Sequence, residues 1–434
     1  RSFVVTRSFV VVLDADPDAE DQIVTVGPPE EGKSISVFKL LKGSLMELID
    51  DGYNRTQLQK IEAYQKRLTS YDFSTIIISD YPIDVATEIF TRINTKGTEL
   101  TLFEIVVAKT YDQERDFDLA REYDRLANSN GVEKDLEDAG YDTIPSSAVL
   151  QCVAAHLVKQ VSRRDILKIA KYKFIDAWPV VKDSIFTAVD YFRTQLRIPV
   201  SELLPYPVLL VPFTYFFINN FDQRPSARQN KYLTQYFWWA SLSNRFSSSV
   251  DSKIAQDLDR MDAIRTDKPP SYDGEEVRLM MDNLRWHWFS TSDAFCKAIL
   301  CLFVYQQPRS FNSDGLVKID NSWLKVANSK NYHHFFPKAY LKKRGFEDKR
   351  ANSVLNMTIV DDFLNKRVIA ARAPSDYMAE FDKSNRNLAS TMKSHLIDDL
   401  DEFGVWNDDY EVFIEQRGQR VLDELNERLY PELD

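Results

Sequence analysis

Two adjacent histidines, His333 and His334, stand in "NYHHFFPKAYL" (Asn331–Leu341), in a 434-residue chain with only five histidines. On a strand, successive side chains take opposite faces. One neutral imidazole can then bind a metal while its neighbour, held off the metal, acts as a general base. Asn352 and Asn356 follow at N-x-x-x-N spacing, and Asn365 comes a little later. A strand–turn–helix would return Asn365 to the same metal as His333. A nucleic-acid phosphate would bridge metal and base, with the metal stabilising the developing charge. Lys338, Lys366 and Arg367 are close enough in sequence to hold flanking phosphates. The simpler alternative is a histidine pair that serves the fold alone, one ring buried and one solvated. The basic setting and the returning asparagines favour a site.

That setting is local. The whole chain carries a net charge of −11, which speaks against indiscriminate nucleic-acid binding. Between Arg309 and Arg372, however, 13 Lys and Arg face 6 Asp and Glu, and the tail from Ile397 is strongly acidic. Charge is segregated, and the basic island surrounds the paired histidines. The other histidines attract no such reading: His156 and His395 fall in amphipathic helical patterns, and His287 lies in the aromatic "RWHWF".

A second polar cluster lies in "EIFTRINTKGTELTLFEIVVAKTYD", where Arg92, Asn94 and Lys96 can face a phosphate. Chemistry alone favours a structural helix–turn–helix there, with Gly97 as C-cap and Thr101 opening the next helix. "GPPEEGKS" (Gly27–Ser34) matches a phosphate-loop pattern but is physically poor. Pro28 and Pro29 offer no backbone N–H, and Glu30 and Glu31 repel a nucleotide. A charged turn between strands is the better expectation.

The elements that must position these residues follow from the patterning. Residues 1 to about 40 are β-rich, with β-branched runs between turn formers. From Ser44 the pattern is helical through "SLMELIDDGYNRTQLQKIEAYQKRL", then "FSTIIISDYP" reads as one further strand. Helical periodicity dominates from about 101 to 305, and "RTDKPPSYDGEE" (Arg265–Glu276) is the best linker candidate. After Gln306 the texture changes: "GLVKIDNSWLK" suggests a short strand or hairpin. "VLNMTIVDDFLNKRVIAARAPSDYM" reads as strand, turn at Asp361–Asp362, and helix, and an amphipathic helix closes the chain.

Composition bounds the class. Hydrophobic content of 44% and charged content of 28% are those of a globular protein with large aromatic-rich helical cores. The apolar run Ile198–Ile218 contains Glu202 and four prolines, so buried helices with proline breaks are expected rather than a membrane span. Cys152, Cys296 and Cys301 form no disulfide framework and show no paired zinc-ligand spacing. They read as small buried hydrophobes in a reducing cytoplasm. The chain starts without Met, and "RSFVV" occurs at Arg1–Val5 and again at Arg7–Val11, which suggests a fragment.

"YHHFFPKAYL…NSVLNMTIVDDFLNKRVIAARAPSDYM" resembles the HNH-type nuclease module at the C-terminus of GmrSD-type restriction endonucleases. "EIFTRINTKGTELTLFEIVVAK" is similar to the Phe-x-Arg-x-Asn-x-x-Gly-x-x-Leu segment that closes the ParB/sulfiredoxin-like N-terminal domain of that family. The two matches occur in the family's order. The resemblance implies His334 as general base, His333 and Asn365 as ligands of Mg²⁺ or Mn²⁺, and Asn356 as a brace of the ββα-metal loop. It also places Arg92, Asn94 and Gly97 near a nucleotide- or modification-sensing pocket. The family's Asp-Gly-Gln-Gln-Arg signature is absent. Either it lies outside this sequence or the protein lacks the family's NTP hydrolysis, so NTP stays an open cofactor.

The expectation is a mixed, mainly α chain. A small α/β, ParB-like domain (1–110) leads through a helical domain (111–268) to an HNH-like ββα-metal module in a helical frame (269–434). The expected function is an intracellular, metal-dependent DNA endonuclease acting on modified or phage DNA, with no membrane partner and a homodimer left open. The alternative is a nucleotide- or DNA-sensing regulator whose nuclease module is inactive.

Overall fold

The computed structural model describes residues 9–13, 24–26, 28–30, 32–70, 100–220, 224–275, 277–321, 332–360 and 369–431. Arg92, Asn94, Gly97, Asn365, Lys366 and Arg367 lie outside the described residues, as do the strand expected at "FSTIIISDYP" and the turn at Asp361–Asp362. The chain divides into two compact units, Arg1–Tyr81 and Pro82–Asp434.

In the first unit, β1 (Phe9–Val12) runs antiparallel between β2 (Val24–Val26) and β3 (Ser34–Ser36), with Val11 opposite Ile35. Helix α1 (Val37–Lys42) follows directly because the Ser36 hydroxyl accepts the Lys39 N–H at 3.1 Å. The single helical pattern read from Ser44 onward is two helices, α2 (Leu45–Asp50) and α3 (Arg55–Thr69). Each opens with a capping box, Ser44 with Glu47 and Asn54 with Gln57. Gly52, at φ 84°, makes the break, a backbone state that β-carbons disfavour. Val11, Leu13, Ile35, Leu40, Leu48 and Ile61 form the core. The turn from Pro28 to Ser34 is a strand connection, as its chemistry suggested. Lys33 pairs with Glu30 at 3.4 Å, and the Ser34 hydroxyl accepts the Glu30 N–H at 2.8 Å.

The second unit is helical, with one continuous core running from Ile105 to Leu429. Thr101 caps α4 (Leu102–Thr110) through a capping box with Glu104. At the centre lies α5 (Leu210–Asn219), buried from Leu210 to Ile218 and packed against the Ser146–Val158, Lys171–Thr194 and Val250–Arg265 helices. A helix apolar on every side is stable only when surrounded. Its prolines fall where the backbone tolerates them: Pro207 opens a 3-10 turn, and Pro212 sits in the first turn, where an N–H has no intrahelical acceptor. No described helix is long and apolar enough to cross a membrane.

The Arg265–Glu276 stretch is not a free linker. Tyr272 packs at a tilt against Trp239 with ring centroids 4.4 Å apart, and Arg260 donates to the Ser271 carbonyl at 2.8 Å. Glu275 accepts from Arg245 and Arg260, both at 2.6 Å, while Arg245 also holds the fully buried Asp257 at 3.0 Å. Polar, proline-bearing composition marked it as solvated, but the buried Arg245 and the partly buried Arg260 recruit its side chains. The "GLVKIDNSWLK" segment begins with a hairpin-like turn, in which Ser310 donates to Gly315 and Val317 to Pro308.

Candidate functional site

The strand expectation around the histidine pair holds. Tyr332–His334 forms β4, antiparallel to β5 (Met357–Ile359), with His333 opposite Thr358 and His334 opposite Met357. Between them the chain makes α6 (Lys338–Lys343), a short turn of helix at Asp348–Ala351 and a 3-10 turn at Val354–Asn356. Phe335 and Phe336 anchor the strand end: both are buried, and Phe335 lies flat against Phe413 at 4.8 Å.

His333 is buried, and its Nδ1 has no hydrogen-bond partner among the described residues. An unpaired buried ring nitrogen costs free energy unless something binds it. His334 is half-buried, and its Nε2 lies 2.8 Å from Oδ1 of Asn352. That amide's orientation is set by its other end, since Nδ2 donates to the Phe289 carbonyl at 3.1 Å. An amide oxygen only accepts, so Nε2 of His334 carries the proton and Nδ1 keeps its lone pair. Burial pushes His333 down to about 3, with His334 adding to the shift. Burial likewise pushes His334 down to about 4, the charge of Lys338 adding to it and the bond to Asn352 opposing it. Both rings are neutral near pH 7, the form that binds a cation or accepts a proton.

Asn356 is fully buried and braces the turn beside the pair. Its Oδ1 accepts the Phe336 N–H at 2.9 Å, while Nδ2 donates to the carbonyls of Phe336 and Ala351, each at 2.9 Å. Its own carbonyl accepts the Phe335 N–H at 2.7 Å. With every polar group so engaged, it positions the loop rather than contacting substrate. Lys338 opens α6 and places its ammonium 5.6 Å from the centroid of the half-exposed Trp288 ring.

The basic island is partly neutralised by ion pairs, most of them to carboxylates outside it. Arg309 pairs with Asp314, Arg350 with Glu411, and Arg372 with Glu380. Among the described residues, Lys338, Lys342, Lys343 and Arg344 of the α6 turn make no ion pair, and the charge of Lys338 acts on His334.

Two residues had a signal in the sequence but no role assigned from it. Asn352 was visible only as half of an asparagine spacing, yet it is the residue that orients His334. Arg417, in the closing helix α7 (Tyr410–Leu429), is fully buried and donates to the carbonyls of Leu355 at 2.6 Å and Met357 at 2.7 Å. It thereby holds the backbone on both sides of Asn356. His395 is not in a helix as its pattern suggested: it follows the Leu388–Lys393 helix, buried, with Nε2 2.8 Å from the Arg309 carbonyl.

No family model matches the chain. It is 24% identical over 348 residues to the uncharacterized protein MJ0686 of Methanocaldococcus jannaschii, a stretch covering 76% of this chain. That stretch spans little more than half, 56%, of the archaeal protein's length.

Proposed function

We propose that the chain is a metal-dependent DNA endonuclease of the GmrSD type, acting on modified or phage DNA. The observation that carries this reading is the unlike treatment of two adjacent imidazoles on β4. His333 presents an unpaired Nδ1 in a buried setting, and His334 keeps an Nδ1 lone pair because Asn352 occupies its Nε2. His333 fits a cation ligand, and Asn365 is proposed to join it.

A divalent Mg²⁺ or Mn²⁺ bound there supplies electrostatic stabilisation of charge developing on a scissile phosphate. His334 accepts the proton of the attacking water at Nδ1. Asn352 prevents the ring from turning its protonated nitrogen toward that water. Lys338, with Lys366 and Arg367, holds flanking phosphates. Arg92, Asn94 and Gly97 are proposed to serve a nucleotide or modification sensor in the N-terminal segment.

His334→Ala is expected to abolish Mn²⁺-dependent cleavage of modified or phage DNA while leaving circular dichroism and melting behaviour intact. Unchanged cleavage by that variant rejects the nuclease reading. Burial of both imidazoles supports a second reading, a nucleotide- or DNA-sensing regulator with an inactive nuclease module. It predicts salt-dependent DNA binding with neither Mn²⁺ binding nor cleavage.

A further inference from the structure

A separate set of donors meets where residues 287–293 run into the Ala294–Tyr305 helix. His287, Asp293 and Cys296 each place a ligand-capable atom so that all three lie within 4.8 Å of one another. Nε2 of His287 is 3.3 Å from Oδ1 of Asp293. That same oxygen caps the helix by accepting the Cys296 N–H at 2.7 Å, leaving the second carboxylate oxygen without a partner among the described residues. Cys296 is buried, and its sulfur accepts the Ser290 N–H at 3.4 Å. Burial pushes the Cys296 thiol up to about 12, with the Ser290 N–H opposing, so the sulfur is a thiol until a cation displaces its proton. His287 and Asp293 also line a cavity of about 540 Å³ that carries the Arg245–Glu275 ion pair, Lys253 and Arg278 on its wall.

We propose that His287, Asp293 and Cys296 form a binding site for a thiophilic divalent cation of the zinc class, with its remaining coordination position open to this cavity. One sulfur, one imidazole and one carboxylate suit Zn²⁺ and disfavour Mg²⁺ or Ca²⁺, which take oxygen ligands. On binding, the thiol proton leaves to solvent, sulfur joins the cation as thiolate, and His287 binds neutral through Nε2 with its proton on Nδ1. Asp293 contributes its free oxygen and keeps the helix cap. Three protein ligands with an open fourth position is the arrangement of zinc sites that receive an exogenous ligand.

The site also bears on the histidine pair. Without a cation the Cys296 thiol donates to the Trp288 carbonyl at 3.4 Å, a bond that ends when the sulfur binds as thiolate, whereas Val354 donates to the His287 carbonyl at 2.9 Å in either state. A cation here fixes the segment that Asn352 grips at Phe289.

The test is Co²⁺ titration of the chelator-treated full chain, read by absorption. A thiolate-to-cobalt charge-transfer band should rise, saturate stoichiometrically and be displaced by Zn²⁺. It should vanish in Cys296→Ser and persist in Cys301→Ser. Asp293→Asn keeps an oxygen for the helix cap, so it should fold normally and still weaken Co²⁺ binding by about tenfold or more. Absence of the band, its survival in Cys296→Ser, or unchanged affinity in a folded Asp293→Asn overturns the proposal. None of these readouts depends on DNA cleavage, so the nuclease reading stands or falls separately.

Discussion

Asn352 joins two strands of chain through one side chain. Its Oδ1 accepts from His334 Nε2 at 2.8 Å while its Nδ2 donates to the Phe289 carbonyl at 3.1 Å. Phe289 returns the contact by donating its N–H to the Asn352 carbonyl at 2.9 Å. The proton on His334 is thus assigned by a residue whose own orientation is assigned elsewhere, so the orientation of His334 depends on Phe289.

On the proposed nuclease reading, Asn352→Leu should lower cleavage about 10–100-fold, chiefly in kcat, because the His334 ring loses its tautomeric preference and orientation. Asn352→Asp retains an acceptor for Nε2 and should preserve more activity than the leucine variant. Single-turnover rates for both variants check the ordering, and equal rates would contradict the positioning role.

Arg417 is expected to dominate the stability of the β5 region. Burial pushes its guanidinium down to about 9, so it remains protonated at neutral pH. It satisfies the carbonyls of Leu355, Met357 and His395 and stacks on Phe303 with 4.6 Å to the ring centroid. Arg417→Met fills similar space but strands three carbonyls, at a cost of about 3 kcal/mol or more. Urea unfolding at neutral pH measures it, and a loss under about 1 kcal/mol would show that water or rearrangement replaces the guanidinium.

His395 should make the fold acid-sensitive. Burial drives its pKa down to about 3, against about 6.5 in an unfolded chain. The folded value is the lower, so the unfolded chain binds the proton better. The contribution is complete above about pH 6.5 and is lost as pH falls toward about 3. From about pH 7 to about pH 5 the loss is about 2 kcal/mol for this one ring. His395→Gln keeps a donor for the Arg309 carbonyl and removes the titrating group. Its unfolding free energy should fall less steeply over that interval than that of the parent, as urea melts at both pH values will show.

Much of the local structure was legible in the residues themselves. Thr101 announced a helix start, and the cap forms there, because its hydrogen bonds with Glu104 close within a single turn. The β-rich opening held because β-branched residues alternate with turn formers. The histidine pair fell on a strand for the same local reason, and its two rings met different environments because alternate side chains leave opposite faces.

The rest depended on residues far apart in the chain. Loop composition from Arg265 to Glu276 resembled that of a linker, and only the folded positions of Trp239, Arg245 and Arg260 show why it is pinned. The partner that orients His334 caps the short 348–351 helix, its own support comes from Phe289, and the guanidinium bracing both sides of Asn356 arrives from the last helix. Residue types and their periodicity determined the elements and supplied candidate chemistry through contacts that close within a turn or a strand. Tertiary packing decided which nitrogen of His334 is free, which carbonyls Arg417 satisfies, and that His287 meets Cys296. Those contacts form only after burial has excluded water from the groups that make them.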